Sequence, residues 1–385
     1  MKIAFTSPLK SPLHPVPSGD RTIARLFVRA LKQAGHEVRL VGTWQSRDAR
    51  GDQDRQLWWA DMGPRLAERQ IKHWGVWRPD LVFCYHLYYK AVDWIGPSLA
   101  DQLSIPYVAA EASHAPKRAN GPWAVSHQAM TTILAQASAG IITINPADRA
   151  CIRAATGPDC AHLDLPPFID LARLDAARRD QSPVSTRDTL GLGDGTKLLV
   201  TVAMMRERAK LPSYRLLAEA LQKVSTTGQK DWHLLICGDG PARAQVEQAF
   251  SHLQEQVSFV GAVPASGLQA TLAQADLFCW PAIDEAFGMA FIEAQAAGLP
   301  VVAGLSPGVA SVLAPQAHEV AQMGDGDGFA QALGRLMAQD RNRLQQMGQK
   351  ARHHVEATHS LSAAAVRIDG FLNRVMTASR RSATE

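Results

Sequence analysis

The run Leu277-Phe278-Cys279-Trp280 is short, apolar and aromatic, and reads as a buried strand; residues 289–297 read as a helix and Pro300-Val301-Val302-Ala303 as the next strand. Two strands joined through a helix at this spacing form a parallel crossover, which commits the chain to an α/β architecture with helices packed on a parallel sheet. The same alternation recurs in two series. Strands are expected at 2–7, 37–43, 81–86, 107–112, 140–145 and 160–165, then at 197–203, 232–237, 257–260, 277–280, 300–304 and 318–323. Helical stretches lie between them, the clearest at 21–34 and closed by Gly35. Two series imply two doubly wound, Rossmann-like parallel sheets. The join is the polar, breaker-rich stretch from Pro166-Pro167 through Gln181-Ser182-Pro183 to Gly191-Leu192-Gly193-Asp194-Gly195, and the boundary is placed at 180/181.

A chain of 385 residues with 46% hydrophobic content can bury two cores. No apolar run reaches 18 residues and the opening Met1-Lys2-Ile3-Ala4-Phe5 is too short for a signal peptide, so a cytoplasmic protein is expected. Five cysteines without C-x-x-C spacing argue against a disulfide framework and a zinc site. A net charge of +4 with no dense basic stripe argues against nucleic acid as a partner. Tryptophans gather in the first half, at 44, 58, 59, 74, 77, 94 and 123. The segment 65–78, with Arg69, Lys72, His73, Trp74 and Trp77, reads either as a surface helix whose tryptophans pack on the sheet or as a face resting peripherally on an anionic membrane.

The chemistry concentrates after the strand at 277–280. In doubly wound sheets ligands bind beyond the strands' carboxyl ends, and Glu285 lies there. Glu293 falls in a helix whose neighbours are nearly all apolar, where an ionised carboxylate needs hydrogen-bond donors; a ribose diol would supply them, and a structural arginine is the plainer alternative. The backbone N–H groups around Gly288, Met289 and Ala290 open that helix and favour an anion such as a diphosphate. After the strand at 197–203 come Arg206, Arg208 and Lys210, placed to neutralise the same charge or simply to be solvated. Gly238-Asp239-Gly240 after the strand at 232–237 is not a dinucleotide fingerprint, because the third glycine position holds Arg243. In the first half, Gly19-Asp20 opens a helix that Asp20 is expected to cap, and His114 follows the fourth strand with Glu111 as its rival polar group.

Glu285-Ala286-Phe287-Gly288-Met289-Ala290-Phe291-Ile292-Glu293, followed by Ala-Gln-Ala-Ala-Gly-Leu-Pro-Val-Val, resembles the E-x-F-G-x-x-x-x-E segment of retaining glycosyltransferases of family 4. The resemblance implies the GT-B fold: two doubly wound domains facing a central cleft, with a last helix returning to the first, so that 1–180 plus 360–385 would bind the acceptor and 181–359 the donor. It implies transfer of a sugar from a nucleotide-diphosphate donor to a hydroxyl acceptor, a lipid or cell-envelope glycoconjugate among the candidates, with retention and without a metal or other cofactor. By the same resemblance, Glu285, His114, Arg206 and Lys210 are the catalytic candidates. Glu293 would hold the ribose, Phe287, Gly288, Met289 and Ala290 the diphosphate side, Gly238 and Val260 the nucleotide turn, and Gly19 the donor phosphates from the first domain. The chain departs from the family pattern in lacking both glycines around Arg206, in setting Lys210 one position closer, and in having a single glycine at 19. A nucleotide-sugar epimerase on this fold and a non-catalytic nucleotide- or carbohydrate-binding protein are the rival readings.

Overall fold

Each of two parallel sheets has six strands. The first holds β1 (Lys2–Thr6), β2 (Glu37–Leu40), β3 (Leu81–Tyr85), β4 (Tyr107–Ala110), β5 (Ser138–Thr143) and β6 (Ala161–Asp164), in the order β2-β1-β3-β4-β5-β6. The second holds β7 (Lys197–Val202), β8 (Trp232–Cys237), β9 (Val257–Gly261), β10 (Leu277–Trp280), β11 (Val301–Leu305) and β12 (His318–Gln322), in the order β12-β11-β10-β7-β8-β9. This computed structural model describes residues 1–16, 18–179, 186–208 and 210–382. The twelve strands expected from the sequence are present, with ends moved by up to three residues, the most at the end of β2. Their runs are apolar throughout where helices cover both faces: every residue of β3 and of β10 is buried.

The winding reverses beside β1 in the first sheet, between β1 and β3, and beside β7 in the second, between β7 and β10. Loops leaving the carboxyl ends at such a reversal run in opposite directions and open a crevice. The fold therefore marks the loops after β1 and β3, and those after β7 and β10, before any side chain is considered.

The chain forms two compact units, Met1–Pro166 together with the helix Leu361–Ser382, and Pro167–Ser360. The boundary read from the sequence at 180/181 lies outside the described residues. Residues 167–171 already belong to the second unit: Ile169 N–H donates to His359 O at 2.8 Å, and Ile169 and Leu171 join its core. In the first unit the helix Leu361–Ser382 lies along the helix Gly19–Gln33, where Gln33 Nε2 donates to Ser362 Oγ at 2.8 Å, and seats Phe371 and Val375 on Gly140 of β5. The helix Gly19–Gln33 is capped by Ser18, whose Oγ accepts from Arg21 N–H at 3.2 Å, rather than by Asp20 as the sequence suggested. Asp20 sits in the first turn and faces His86 instead.

The segment 65–78 continues the helix Gln53–Trp74. Trp74 and Trp77 are buried and meet edge to face at 4.9 Å, and Trp77 Nε1 donates to Glu37 at 2.9 Å, so both rings are spent on the core. Among the described residues no helix is long and apolar enough to cross a membrane.

Candidate functional site

In the second unit the reversal of winding brings together two residues 75 positions apart. Lys210, at the N-cap of the helix Leu211–Thr226 after β7, donates through Nζ to Glu285 Oε2 in the loop after β10. Both side chains keep less than a fifth of their surface exposed, at 17% and 18%, which makes this an ion pair that water screens poorly. The Trp280 indole N–H adds a contact to the same oxygen at 3.4 Å. The loop is held from its sides: Ile283 N–H donates to Ser213 Oγ at 2.9 Å, and Ser306 Oγ reaches Glu285 O at 3.5 Å. Ala282 and Asp284 both adopt φ of 54°, a conformation costly for residues with a Cβ and sustained here by those contacts. Gly288 has φ of 70°, and a Cβ there would press on the Phe291 ring, so glycine is required where the loop enters the helix Met289–Ala296.

No side chain caps that helix, which leaves the first-turn N–H groups of Met289 and Ala290 without a side-chain acceptor. Phe287, Met289 and Ala290 are partly buried against the core, so the turn is anchored from below. The carboxylate of Glu293, one turn further on, has no hydrogen-bonded or charged partner among the described residues, and no arginine among them neutralises it. The packing around it strips water from the carboxyl and pushes its pKa up to about 7. A group that donates hydrogen bonds to the ionised form would bring that value back down.

The turn after β8 closes this edge. Gly238 N–H donates to Gly261 O at 2.8 Å, and Ala203 N–H to Cys237 O at 3.1 Å; a Cβ on Gly238 would run into Ala203 O. Gly238 thus lets the loops after β7, β8 and β9 share one edge, with Val260 of β9 half exposed beside it. Arg206 and Arg208 project into solvent from the loop after β7, and neither has a carboxylate partner among the described residues. Of the three basic residues after β7, Lys210 is the one that meets Glu285.

The carboxyl edge of the first unit carries its own polar cluster. His86 after β3 and Glu111 after β4 both have positive φ, 66° and 55°. His86 Nδ1 stands 3.4 Å from Asp20 Oδ1, and that contact lowers the Asp20 pKa. Burial raises the Glu111 carboxyl, opposed by His86 and by the Tyr85 hydroxyl beside it. His114 lies further along the same loop, its ring tilted against that of the buried His127 with centres 5.4 Å apart; burial and His127 hold its imidazole below the ordinary value, hence neutral at pH 7. Gly19 has open space where a Cβ would stand. Sequence reasoning missed His86 and the Trp280 indole. A histidine directly after a buried strand, on the edge where Glu111 ends the neighbouring strand, was the available signal.

Residues 196–339, from the start of the second sheet through the helix Gly326–Met337, match the family model described as Glycosyl transferases group 1. That stretch is similar to group 1 glycosyltransferases. Over 215 residues it is 30% identical to the GDP-mannose-dependent monoacylated alpha-(1-6)-phosphatidylinositol monomannoside mannosyltransferase of Corynebacterium glutamicum, a stretch covering 54% of this chain and 55% of that protein. It is 32% identical over 215 residues to the GDP-mannose-dependent alpha-(1-6)-phosphatidylinositol monomannoside mannosyltransferase of Mycolicibacterium smegmatis, covering 53% and 54%. The chain thus spans about half the length of the curated relatives it matches. Among solved structures, sucrose-phosphate synthase from Thermosynechococcus elongatus superposes with a TM-score of 0.67 at 18% identity over 98% of this chain and 99% of that one. Anabaena HepE in complex with UDP superposes at 0.70 and 15% identity over 97% and 100%. At these identities the likeness speaks for the fold alone, which is GT-B.

Proposed function

We propose that this protein is a retaining glycosyltransferase that moves a sugar from a nucleotide-diphosphate donor to a hydroxyl acceptor without a metal ion. The observation that carries the reading is the Lys210–Glu285 pair at the crevice of the second sheet, next to an uncapped helix start. Departure of a diphosphate builds negative charge on its oxygens. Lys210, Arg206 and the N–H groups of Met289 and Ala290 supply fixed positive charge to that edge, the task a divalent cation performs in other transferases. Glu285, positioned by Lys210 and Trp280, is suited to accept hydrogen bonds from sugar hydroxyls, and the unpartnered Glu293 from the ribose diol.

For retention, the bond from the anomeric carbon to the phosphate oxygen breaks while the acceptor oxygen bonds on the same face, and the acceptor proton passes to the departing phosphate. In the first unit, the neutral His114 supports this reading as a donor or acceptor of one hydrogen bond to the sugar. GDP-mannose and lipid-borne acceptors, named for the two curated relatives, are the first substrates to try.

The test is thermal stabilisation by a panel of nucleoside diphosphates and nucleotide sugars, in the wild type and in Glu293→Ala. Stabilisation by one nucleotide that the variant loses supports the reading. A folded protein that no nucleotide stabilises removes the donor site. Retention is read from the anomeric configuration of the product, and metal independence from an unchanged rate in a chelator.

A further inference from the structure

Tyr89, after β3, and Trp123, after β4, meet edge to face with ring centres 5.7 Å apart at the carboxyl edge of the first sheet. Two cations lie over this pair. Lys90 Nζ is 5.8 Å from the Tyr89 centre and 4.9 Å from that of Trp123; Arg118 Cζ is 5.6 Å and 5.2 Å from the same two. Neither has a carboxylate partner among the described residues, and Arg118 Nε is enclosed without a hydrogen-bond acceptor.

The frame beneath them is rigid. Trp123 Nε1 donates to Asp48 O at 3.2 Å, Asp48 N–H donates to Lys90 O at 2.7 Å, and the buried Gln56 ties Pro122 O to Ser126 N–H. The Asp48 carboxylate makes no ion pair with either cation; its oxygens accept from the N–H groups of Arg50, Gly51 and Asp52 and from Gln56 Nε2. Two like charges gathered over one pair of rings repel each other, and cation–π attraction offsets this only modestly. An anion between them would turn repulsion into two charge-assisted contacts, with the rings holding the guanidinium in place for a bidentate grip.

We propose that Lys90 and Arg118, set on the Tyr89–Trp123 ring pair, form a subsite for a phosphate group carried by the acceptor. Calling the ligand an acceptor rests on the glycosyltransferase reading; the phosphate site itself does not. A phosphorylated small molecule and a phospholipid headgroup share this chemistry.

The experiment is calorimetric titration of the full chain with inorganic phosphate, for the wild type, for Lys90→Gln/Arg118→Gln, which keeps side-chain bulk over the rings, and for Arg206→Gln, which weakens the second-unit anion edge. Unchanged melting behaviour of the first unit checks that the double variant folds. The expected result is phosphate binding that weakens about tenfold or more in the double variant, the size of one lost charge-assisted contact, and persists in Arg206→Gln. Co-sedimentation with phosphatidylcholine vesicles, with and without phosphatidylinositol, separates the two sources. Phosphate-dependent binding without vesicle recruitment points to a soluble ester, and recruitment by phosphatidylinositol that the double variant loses points to a headgroup. Phosphate binding that survives in the double variant, or the absence of both phosphate and vesicle binding, overturns the subsite. A protein that binds phosphate here but is stabilised by no nucleotide would keep the subsite and sink the transferase reading instead.

Discussion

Glu293→Gln should stabilise the ligand-free second unit in mild alkali and leave it nearly unchanged in acid. The Glu293 carboxyl titrates at about 7 in the folded chain against an ordinary 4.5, and burial is the cause. Between those values the folded state keeps a proton that the unfolded state has released. The stability of the wild type therefore falls as pH rises through this window, and the loss is complete once the folded carboxyl has ionised. Each pH unit between the two midpoints is worth about 1.4 kcal/mol, which sets a ceiling of about 3 kcal/mol on the penalty. Solvent still reaches part of Glu293, so about 2 kcal/mol is the working figure. For a unit the size of Pro167–Ser360 this corresponds to a rise of about 4–8 °C in melting temperature for the glutamine variant. Melting curves of both proteins between about pH 4 and pH 8 provide the assay, with the gain expected only toward the alkaline end. A gain of equal size at every pH, or none at the alkaline end, would refute the argument that desolvation governs this carboxyl. The same variant should lose its stabilisation by nucleotide, so that the empty protein gains what the occupied one gives up.

Other outcomes follow from contacts already described. Lys210→Met leaves Glu285 with the Trp280 indole alone and should cost about 2 kcal/mol, between the values for exposed and fully buried pairs, together with most of the sugar-transfer rate; denaturant melts and a coupled diphosphate-release assay check both. Gly238→Ala drives a Cβ into Ala203 O and should destabilise the second unit by about 1–3 kcal/mol while leaving the first unit's transition in place, visible by calorimetry. Ser18→Ala should cost about 1 kcal/mol through the lost cap. Asp20→Ala, which removes a first-turn carboxylate but not the cap, should cost less than that in the same melts.

The strands were legible because covered parallel sheets demand continuous apolar runs, and β3 and β10 show nothing else. Glu285 and Glu293 were legible from their place after such a strand. The ion pair of Lys210 with Glu285 was not, since its partners sit on two loops that only the order β10-β7 makes neighbours. The clustering of Asp20, His86 and Glu111 was hidden for the same reason: Asp20 and Glu111 were each visible singly, but no local pattern records that the three elements carrying these residues end side by side. Ser18 and Asp20 are both good capping residues two positions apart, and propensity cannot choose between them. The tryptophans at 74 and 77 were ambiguous because an aromatic, basic helix looks alike whether its rings face a sheet or a lipid surface; Glu37 and the sheet decided it here.

The helix Leu361–Ser382 completes a unit whose other residues all precede the second unit in the chain. During synthesis, β5 and the helix Gly19–Gln33 therefore emerge long before Phe371 and Val375 can cover Gly140, and the entire second unit is translated in between. The second unit is contiguous and can fold as it leaves the ribosome, while the first waits with an apolar seam uncovered. A stop codon shortly after residue 360 would consequently spare the nearer unit and cripple the one at the opposite end of the sequence.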